Sequence, residues 1–193
     1  MFHRVSSFSF KVSIIGAGNV GATTAYALLL QGIPTEIALI DIDKKKAEGI
    51  VLDLEHSLPF TSFVGLKGTD DIGACKNSHL VIITAGKKQA EGETRLDLVK
   101  NNKKIFEKIV PEISKAAPEA IILVVTNPVD ILTYFTVGAS KLPAGRVFGS
   151  GTILDTARLQ FHLSEKLRVR PQSIDAYILG EHGDSSFPAW SSA

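Results

Sequence analysis

The sequence is poor in the residues and runs that mark several large classes of protein. It has a single cysteine, Cys75, so no internal disulfide can form, and no Cys/His spacing resembles a zinc site. Its 21 Lys and Arg residues balance 20 Asp and Glu residues to a net charge of +1, which gives no field to attract nucleic acid or anionic lipid. We therefore expect no metal, no nucleic-acid partner and a reducing, cytoplasmic setting.

A purely apolar run is also missing. Residues 12–35 carry no charge, but glycines, Asn19 and Gln31 dilute the stretch too strongly for a signal peptide or a membrane span. We expect no membrane association. Residues 1–10 show no readable pattern and are interpreted as an N-terminal tail.

What the sequence does have is a regular alternation of strand and helix patterns. A short β-rich run, a glycine turn and a helix come first, and continuous apolar runs typical of strands buried on both faces follow. The predicted strands are Lys11–Ile15, Glu36–Ile40, His79–Thr84 and Ala120–Thr126, and the predicted helices are Asn19–Gln31, Asp43–Ser57 and Asp97–Ala117. This order predicts an α/β fold with a doubly wound parallel sheet (Rossmann) over residues 11–150, with ligands beyond the carboxyl ends of the strands.

The pattern changes after Ser150. A helix is predicted at Thr152–Leu167 and a strand at Ser173–Leu179, which we interpret as the start of a second domain at residues 151–193. The polar segment Gly86–Thr94 follows a predicted strand, where a loop that covers a site would lie.

Gly16, Gly18 and Gly21 form a G-x-G-x-x-G pattern that directly follows a strand and opens a helix. In this context the pattern is typical of dinucleotide binding, because glycines permit the turn, the close approach of pyrophosphate and tight helix packing. Asp41 lies 20 residues beyond Gly21 at the end of the next strand. It would accept hydrogen bonds from ribose hydroxyls and repel a 2′-phosphate, or it would act as a helix-capping acid beside Asp43.

His182 stands between glycines after an apolar run, and histidine suits proton transfer near neutral pH. A histidine in a surface turn has the same local pattern. Asp155 and Arg158 are three residues apart and so share one helix face. They would orient the imidazole and grip a carboxylate, or they would form an ordinary surface ion pair.

Five motifs in this order, GAGNVG, AGKKQAEGETR, TNPVD, LDTAR and GEHGDS, resemble those of the lactate dehydrogenases and their malate dehydrogenase relatives. The resemblance runs from about Lys11 to Trp190. It implies NAD as cofactor and a hydride transfer between the nicotinamide and a small 2-hydroxy acid.

The resemblance implies a role for each matching residue. His182 would be the acid and base, Asp155 its orienting partner and Arg158 the anchor of the substrate carboxylate. Arg95 would polarise the substrate carbonyl from a loop, and the alternative is a solvated charge near the start of a helix. The implied cofactor-binding residues are Gly16, Gly18, Val20, Gly21, Asp41, Lys46, Gly86 and Asn127, of which Asn127 would also contact substrate or serve only the Asn-Pro turn.

Gln89 occupies the position that distinguishes substrates in this family. A glutamine there implies pyruvate and L-lactate, whereas an arginine implies oxaloacetate and malate, whose second carboxylate needs a cation. Lys87 and Lys88 lie nearby, so malate dehydrogenase stays the alternative.

The resemblance also has implications for effector binding, for oligomerisation and for the length of the chain. Gln160 and Asp175 stand where relatives that are activated by fructose 1,6-bisphosphate carry an arginine and a histidine, so we expect no such activation. The family forms homo-oligomers and its members continue well beyond this chain. The resemblance therefore implies an N-terminal fragment, in which residues 151–193 are the truncated start of an α+β substrate domain. The fragment is either active or only a nucleotide-binding or interface module.

Overall fold

The computed structural model describes residues 9–88, 92 and 94–192. Eight strands and five α-helices cover most of this part of the chain, besides four short 3₁₀ helices. In chain order the α-helices and strands are β1 (Lys11–Ile15), α1 (Asn19–Gln31), β2 (Glu36–Ile40), α2 (Lys44–Glu55), β3 (Gly65–Thr69), β4 (Leu80–Ile83), α3 (Arg95–Ala116), β5 (Ile121–Val124), α4 (Val129–Ser140), β6 (Val147–Gly149), α5 (Ile153–Leu167), β7 (Ile178–Leu179) and β8 (Phe187–Pro188).

The first six strands form one parallel sheet in the order β3-β2-β1-β4-β5-β6. Strand β1 pairs with β2 on one side and with β4 on the other, so the winding direction reverses between β1 and β4. In an open parallel sheet this reversal leaves a crevice beyond the carboxyl ends of the two strands. The predicted doubly wound fold is confirmed.

Side chains alternate between the two faces of the sheet, as the period of a strand requires. Ile14 and Leu39 pack on one face with Leu29 of α1 and residues of α2. On the other face, Ile15 and its neighbours pack with Phe106 of α3 and residues of α4. Helices α1 and α2 therefore cover one face of the sheet, and α3 and α4 cover the other. The strands between these two layers are buried.

Three elements before residue 150 were not predicted from the sequence. Four strands were predicted there, whereas the sheet also contains β3, whose sequence GLKGT is too polar and glycine-rich to show a strand pattern, and the three-residue β6. Helix α4 was not predicted either. Its sequence VDILTYFTVGAS is rich in β-branched and aromatic residues, which favour strands, so packing against α3 and the sheet determines its conformation.

The C-terminal part differs from its prediction in two elements, the strand predicted at Ser173–Leu179 and the unpredicted β8. The predicted strand Ser173–Leu179 is wrong over most of its length, because a 3₁₀ helix covers Pro171–Ser173 and only Ile178–Leu179 pair as a strand. That strand, β7, is antiparallel to β8, so α5 is followed by a two-stranded sheet. The polar segment between β7 and β8 contains His182.

Candidate active site

The chain turns sharply from β1 into α1 through residues 16–21. Gly16 has a φ of +106°, and a Cβ there would lie 2.7 Å from the main-chain nitrogen of Ala85. A Cβ on Gly21 would lie 1.8 Å from the carbonyl oxygen of Gly16, whereas a Cβ on Gly18 would meet no atom within 4 Å. The turn therefore requires glycine at two positions for packing, and at Gly18 it leaves open space before the first turn of α1.

Asp41 follows β2 and holds this turn. Its Oδ2 accepts a hydrogen bond from the main-chain N–H of Ala17 at 2.6 Å, and its Oδ1 accepts one from the N–H of Asp43 at 2.9 Å. Asp43 is itself the N-cap of α2, since its carboxylate accepts from the N–H of Lys46. Asp43 is therefore the residue that caps α2, and Asp41, for which capping was the alternative role, lies beside the glycine turn.

Two threonine hydroxyls hold the carboxyl ends of three strands together. Thr84 Oγ1 donates towards the carbonyl oxygens of Ile15 and Gly16, at 3.1 and 3.0 Å. Thr126 Oγ1 contacts the carbonyl oxygen of Ala85 at 2.9 Å. These contacts fix the loops that follow β1, β4 and β5 relative to one another, beside the point where the sheet reverses its winding.

A buried amide joins two of these loops. Asn102 of α3 is fully buried, and its Oδ1 accepts from the N–H of Lys87 at 2.8 Å. Its Nδ2 donates to the carbonyl oxygen of Asn127 at 2.8 Å. Gly86 is confined by the same neighbourhood, because a Cβ there would lie 2.5 Å from Thr126 Cγ2. The sequence analysis missed Asn102, since a polar residue within an amphipathic helix gives no signal of its own.

A cleft of about 340 Å³ opens in front of these loops. Residues from the glycine turn, from the loop after β4, from α3 and from the end of β5 line it, namely Gly18, Asn19, Val20, Thr84, Gly86, Lys87, Lys88, Leu98, Val125, Thr126 and Asn127. The cleft thus brings together Gly18, Val20, Gly86 and Asn127, which were predicted from distant motifs. Lys46 lies apart from this set, on α2 with an exposed side chain.

A second group of predicted residues meets on α5 and the loop after β7. His182 Nδ1 lies 2.5 Å from Asp155 Oδ2, and both side chains are about three-quarters buried. Asp155 Oδ1 lies 3.4 Å from Arg158 Nη1, whose side chain is largely exposed. Asp155 therefore contacts both residues, and the i, i+3 ion pair considered above is present together with the Asp–His pair.

Thr152, which directly precedes α5, and Thr156 within α5 explain why residues 27 positions apart meet. The Thr152 hydroxyl donates to the carbonyl oxygen of Ile178 at 2.6 Å, and the N–H of Ile178 donates to Thr156 Oγ1 at 3.0 Å. Strand β7 is thereby fixed against the first turn of α5. The loop that follows then carries His182 to Asp155.

His182 also contacts helix α4, which follows strand β5 of the sheet. Its main-chain N–H donates to Asp130 Oδ2 at 2.8 Å, across 52 residues of sequence. Asp130 lies in the first turn of α4, three residues after Asn127. Asp130 belongs to the TNPVD motif, and neither the motif nor the family resemblance predicted a role for it.

Some predicted residues cannot be compared with the structure. Gln89 lies outside the described residues, as does much of the predicted covering loop, and the side chain of Arg95 is outside them too. Arg95 is the first residue of α3, whose capping box pairs Thr94 with Asp97. Hydrogen bonds from the Thr94 hydroxyl and main chain lower the pKa of the Asp97 carboxyl.

Searches of the described part of the chain give two further findings. No group of three or more His, Cys, Asp and Glu side chains within it is arranged to hold a metal ion. Within the same residues, no helix is both long enough and apolar enough to cross a membrane.

Two family models match the chain in succession. Residues 10–149 match the NAD binding domain of the lactate/malate dehydrogenases, and residues 152–193 match their alpha/beta C-terminal domain. The predicted cofactor, NAD, agrees with the description of the first model.

Individual relatives agree with the family models. The chain is 54% identical over 183 residues to an L-lactate dehydrogenase of Acetivibrio thermocellus and 56% identical over 181 residues to one of Thermoanaerobacter sp.. A probable L-lactate dehydrogenase of Schizosaccharomyces pombe is 51% identical over 191 residues. These alignments cover 94–98% of this chain but only 57–58% of each relative.

Solved structures of lactate dehydrogenases are also similar to this chain. A lactate dehydrogenase from a Medee basin deep-sea metagenome library superposes with a TM-score of 0.90 at 46% identity. The minor L-lactate dehydrogenase of Enterococcus mundtii superposes with a TM-score of 0.90 at 47% identity, and each comparison covers 95% of this chain and 58% of the other. With its glycine turn, its cleft and its Asp–His pair, the chain belongs to the lactate/malate dehydrogenase family.

Proposed function

We propose that this chain supplies the cofactor site and the proton-transfer pair of an NAD-dependent dehydrogenase that interconverts L-lactate and pyruvate. The observation that carries the proposal is the 2.5 Å contact between His182 Nδ1 and Asp155 Oδ2. Such a pair holds the imidazole in one orientation and stabilises its protonated form, as a group that both gives and takes a proton requires.

The residues present fit NAD. The open space at Gly18 admits a pyrophosphate to main-chain N–H groups at the start of α1, where the helix dipole favours a negative charge. Asp41 stands at the end of β2, where its carboxylate would bind ribose hydroxyls and disfavour the 2′-phosphate of NADP. When bound, NAD supplies the hydride acceptor for lactate oxidation, and NADH the hydride donor for pyruvate reduction.

The roles of the protein groups follow from their chemistry. In pyruvate reduction, protonated His182 gives a proton to the oxygen of the carbonyl that becomes the hydroxyl, and in lactate oxidation the neutral ring takes it back. Nδ1 is engaged by Asp155, so Nε2 is the nitrogen that transfers the proton. Asp155 offsets the positive charge of the ring while it is protonated.

Substrate binding is assigned by the resemblance of the motifs. Arg158 would bind the substrate carboxylate through two parallel hydrogen bonds, because its 3.4 Å contact with Asp155 engages only Nη1 and leaves the N–H groups of Nε and Nη2 for a ligand. Arg95 would stabilise the charge that develops on the carbonyl oxygen, and Asn127 would contact substrate at the cleft. Gln89 would favour the methyl group of pyruvate over the second carboxylate of oxaloacetate.

We extend the proposal to domain organisation, partners and location. Residues 11–150 would form the dinucleotide-binding domain, residues 151–193 part of the substrate domain, and residues 1–10 a tail, of which 1–8 lie outside the described residues. We expect a homo-oligomer of the complete protein in the cytoplasm. We also expect no activation by fructose 1,6-bisphosphate, since Gln160 donates to the carbonyl oxygen of Ala176 and Asp175 is an exposed acid.

Cofactor binding and turnover test the proposal separately, because the chain spans 57% of its relative from Acetivibrio thermocellus. NADH binding is followed by fluorescence, and NADH oxidation is followed with pyruvate or oxaloacetate, with and without fructose 1,6-bisphosphate. We expect binding, a preference for pyruvate and no effect of the bisphosphate. A preference for oxaloacetate would indicate a malate dehydrogenase, and binding without turnover would leave a nucleotide-binding module.

A further inference from the structure

The loop that carries His182 has little internal structure to fix it. It connects two short strands, β7 and β8, and contains Gly180 at φ +96° as well as Gly183. Within the loop, the N–H of Ser186 donates to the carbonyl oxygen of Gly183, and the exposed Ser185 hydroxyl donates to Glu181 Oε2 at 3.0 Å. Glycine lowers the cost of alternative backbone conformations, so the position of His182 depends on contacts from outside the loop.

Asp155 supplies one such contact, but only to the ring. A ring fixed at one nitrogen by a flexible carboxylate still moves with its main chain. Asp130 supplies the contact to the main chain, through Oδ2 and the N–H of His182 at 2.8 Å. Hydrogen bonds from an N–H to a carboxylate are shorter and stronger than those between neutral groups.

Asp130 lies close in the chain to Asn127, a residue that lines the cleft. Asp130 is in the first turn of α4, where the helix dipole stabilises a carboxylate. The preceding Asn127 lines the cleft, and its carbonyl oxygen is held by the buried Asn102. The main chain of His182 is thus fastened to the same short segment that forms one wall of the cofactor cleft.

We propose that Asp130 is a positioning residue for proton transfer, which fixes the main chain of His182 relative to the cleft while Asp155 orients its ring. This inference rests on the proposed function. Proton and hydride transfer demand placement to within a fraction of an ångström, so the loss of either contact lowers the rate of the chemical step while the cofactor still binds.

The test compares Asp130→Ala and Asp130→Asn in the whole 193-residue chain. The asparagine keeps an oxygen that accepts the hydrogen bond, whereas the alanine removes it. Asp184→Ala is the matched control, because it removes an exposed acid from the same loop. NMR measures hydrogen exchange at the His182 amide and the resonance of its Nδ1 proton, and both readouts are independent of activity.

In Asp130→Ala we expect faster exchange at the His182 amide, a shifted Nδ1 proton and unchanged NADH affinity. We also expect kcat for pyruvate to fall by roughly 10- to 100-fold. The isotope effect with NADH deuterated at the transferred position should rise, since chemistry then limits turnover. Asp130→Asn should recover most of these properties, and Asp184→Ala should match the original chain.

Unchanged exchange and an unchanged Nδ1 resonance in Asp130→Ala would overturn the inference. It would also be overturned if kcat, NADH affinity and stability all fell together in both Asp130 variants, because that is the result of a general structural role. If the original chain binds NADH without turning over pyruvate, the proposed function of this chain fails, and the NMR readouts still decide the role of Asp130.

Discussion

Asp41 Oδ2 and the main-chain nitrogen of Ala17 are 2.6 Å apart, so the end of β2 is joined directly to the glycine turn. A carboxylate in this position favours a cofactor with ribose hydroxyls over one with a 2′-phosphate. For Asp41→Asn we expect weaker NADH binding and a preference for NADH over NADPH reduced by about tenfold, measured by fluorescence titration. Asp53→Asn, an exposed acid on α2, is the control. An undiminished preference in Asp41→Asn would remove this residue from cofactor selection.

Two glycines of the turn between β1 and α1 should affect different properties, Gly21 the stability of the fold and Gly18 the binding of NADH. A Cβ at position 21 would lie 1.8 Å from a carbonyl oxygen, so Gly21→Ala should lower the free energy of unfolding by roughly 1–3 kcal/mol. A Cβ at position 18 meets no protein atom within 4 Å. Gly18→Ala should therefore keep the unfolding free energy within about 0.5 kcal/mol while weakening NADH binding. Urea titration and NADH titration measure the two effects, and equal NADH affinity in Gly18→Ala would argue against the assigned path of the pyrophosphate.

Replacing Asn102 should lower the stability of the chain, because its amide forms hydrogen bonds with the loops after β4 and after β5. In Asn102→Leu the N–H of Lys87 and the carbonyl oxygen of Asn127 lose their partner inside the protein. Lys87 and Asn127 are exposed at the cleft, where water can replace the lost amide, so the free energy of unfolding in urea should fall by about 0.5–1.5 kcal/mol for each hydrogen bond. Lys104→Ala, on the exposed surface of α3, provides the comparison. Equal losses in the two variants would contradict the bridging role.

The thiol of Cys75 should be unreactive in the folded chain. It is fully buried, and its burial raises its pKa from 9.0 to about 11, against the opposing effect of a hydrogen bond with Ser13. A raised folded pKa contributes stability below pH 9 that is lost as the pH rises towards 11. Relative to Cys75→Ala, the unfolding free energy should fall by about 1 kcal/mol per pH unit in that window. Rapid reaction with a disulfide reagent at pH 8, without denaturant, would show that the thiol is accessible instead.

The fold was predictable to the extent that its strands are continuous apolar runs. The four buried strands and the helices around the glycine turn were located from the sequence. Strand β3 was not, because Gly65 and Gly68 give it no hydrophobic pattern, and at the sheet edge it needs only one pairing partner. Close packing requires Gly68, since a Cβ there would lie 2.7 Å from the main chain of Ala47. This need for glycine arises from contact with a distant part of the chain, so the sequence of β3 by itself does not predict it.

The candidate site was predictable where a residue belongs to a motif. His182 and Asp155 were paired through the family resemblance, since spacing alone gave each of them an ordinary interpretation. Asn102 and Asp130 were missed because their hydrogen bonds go to main-chain groups of distant segments. A main-chain partner leaves no trace in the sequence, so only the folded chain reveals which loop each side chain holds.

The most direct measurement compares NADH oxidation with pyruvate for the purified chain and for His182→Asn. The asparagine preserves polarity but cannot carry the proton, so turnover should fall by about 100-fold or more while NADH affinity stays the same. Asp155→Asn should retain part of the activity, because it removes only the charge that supports the ring. Turnover of pyruvate that persists in His182→Asn would contradict the assignment of His182 as the acid and base.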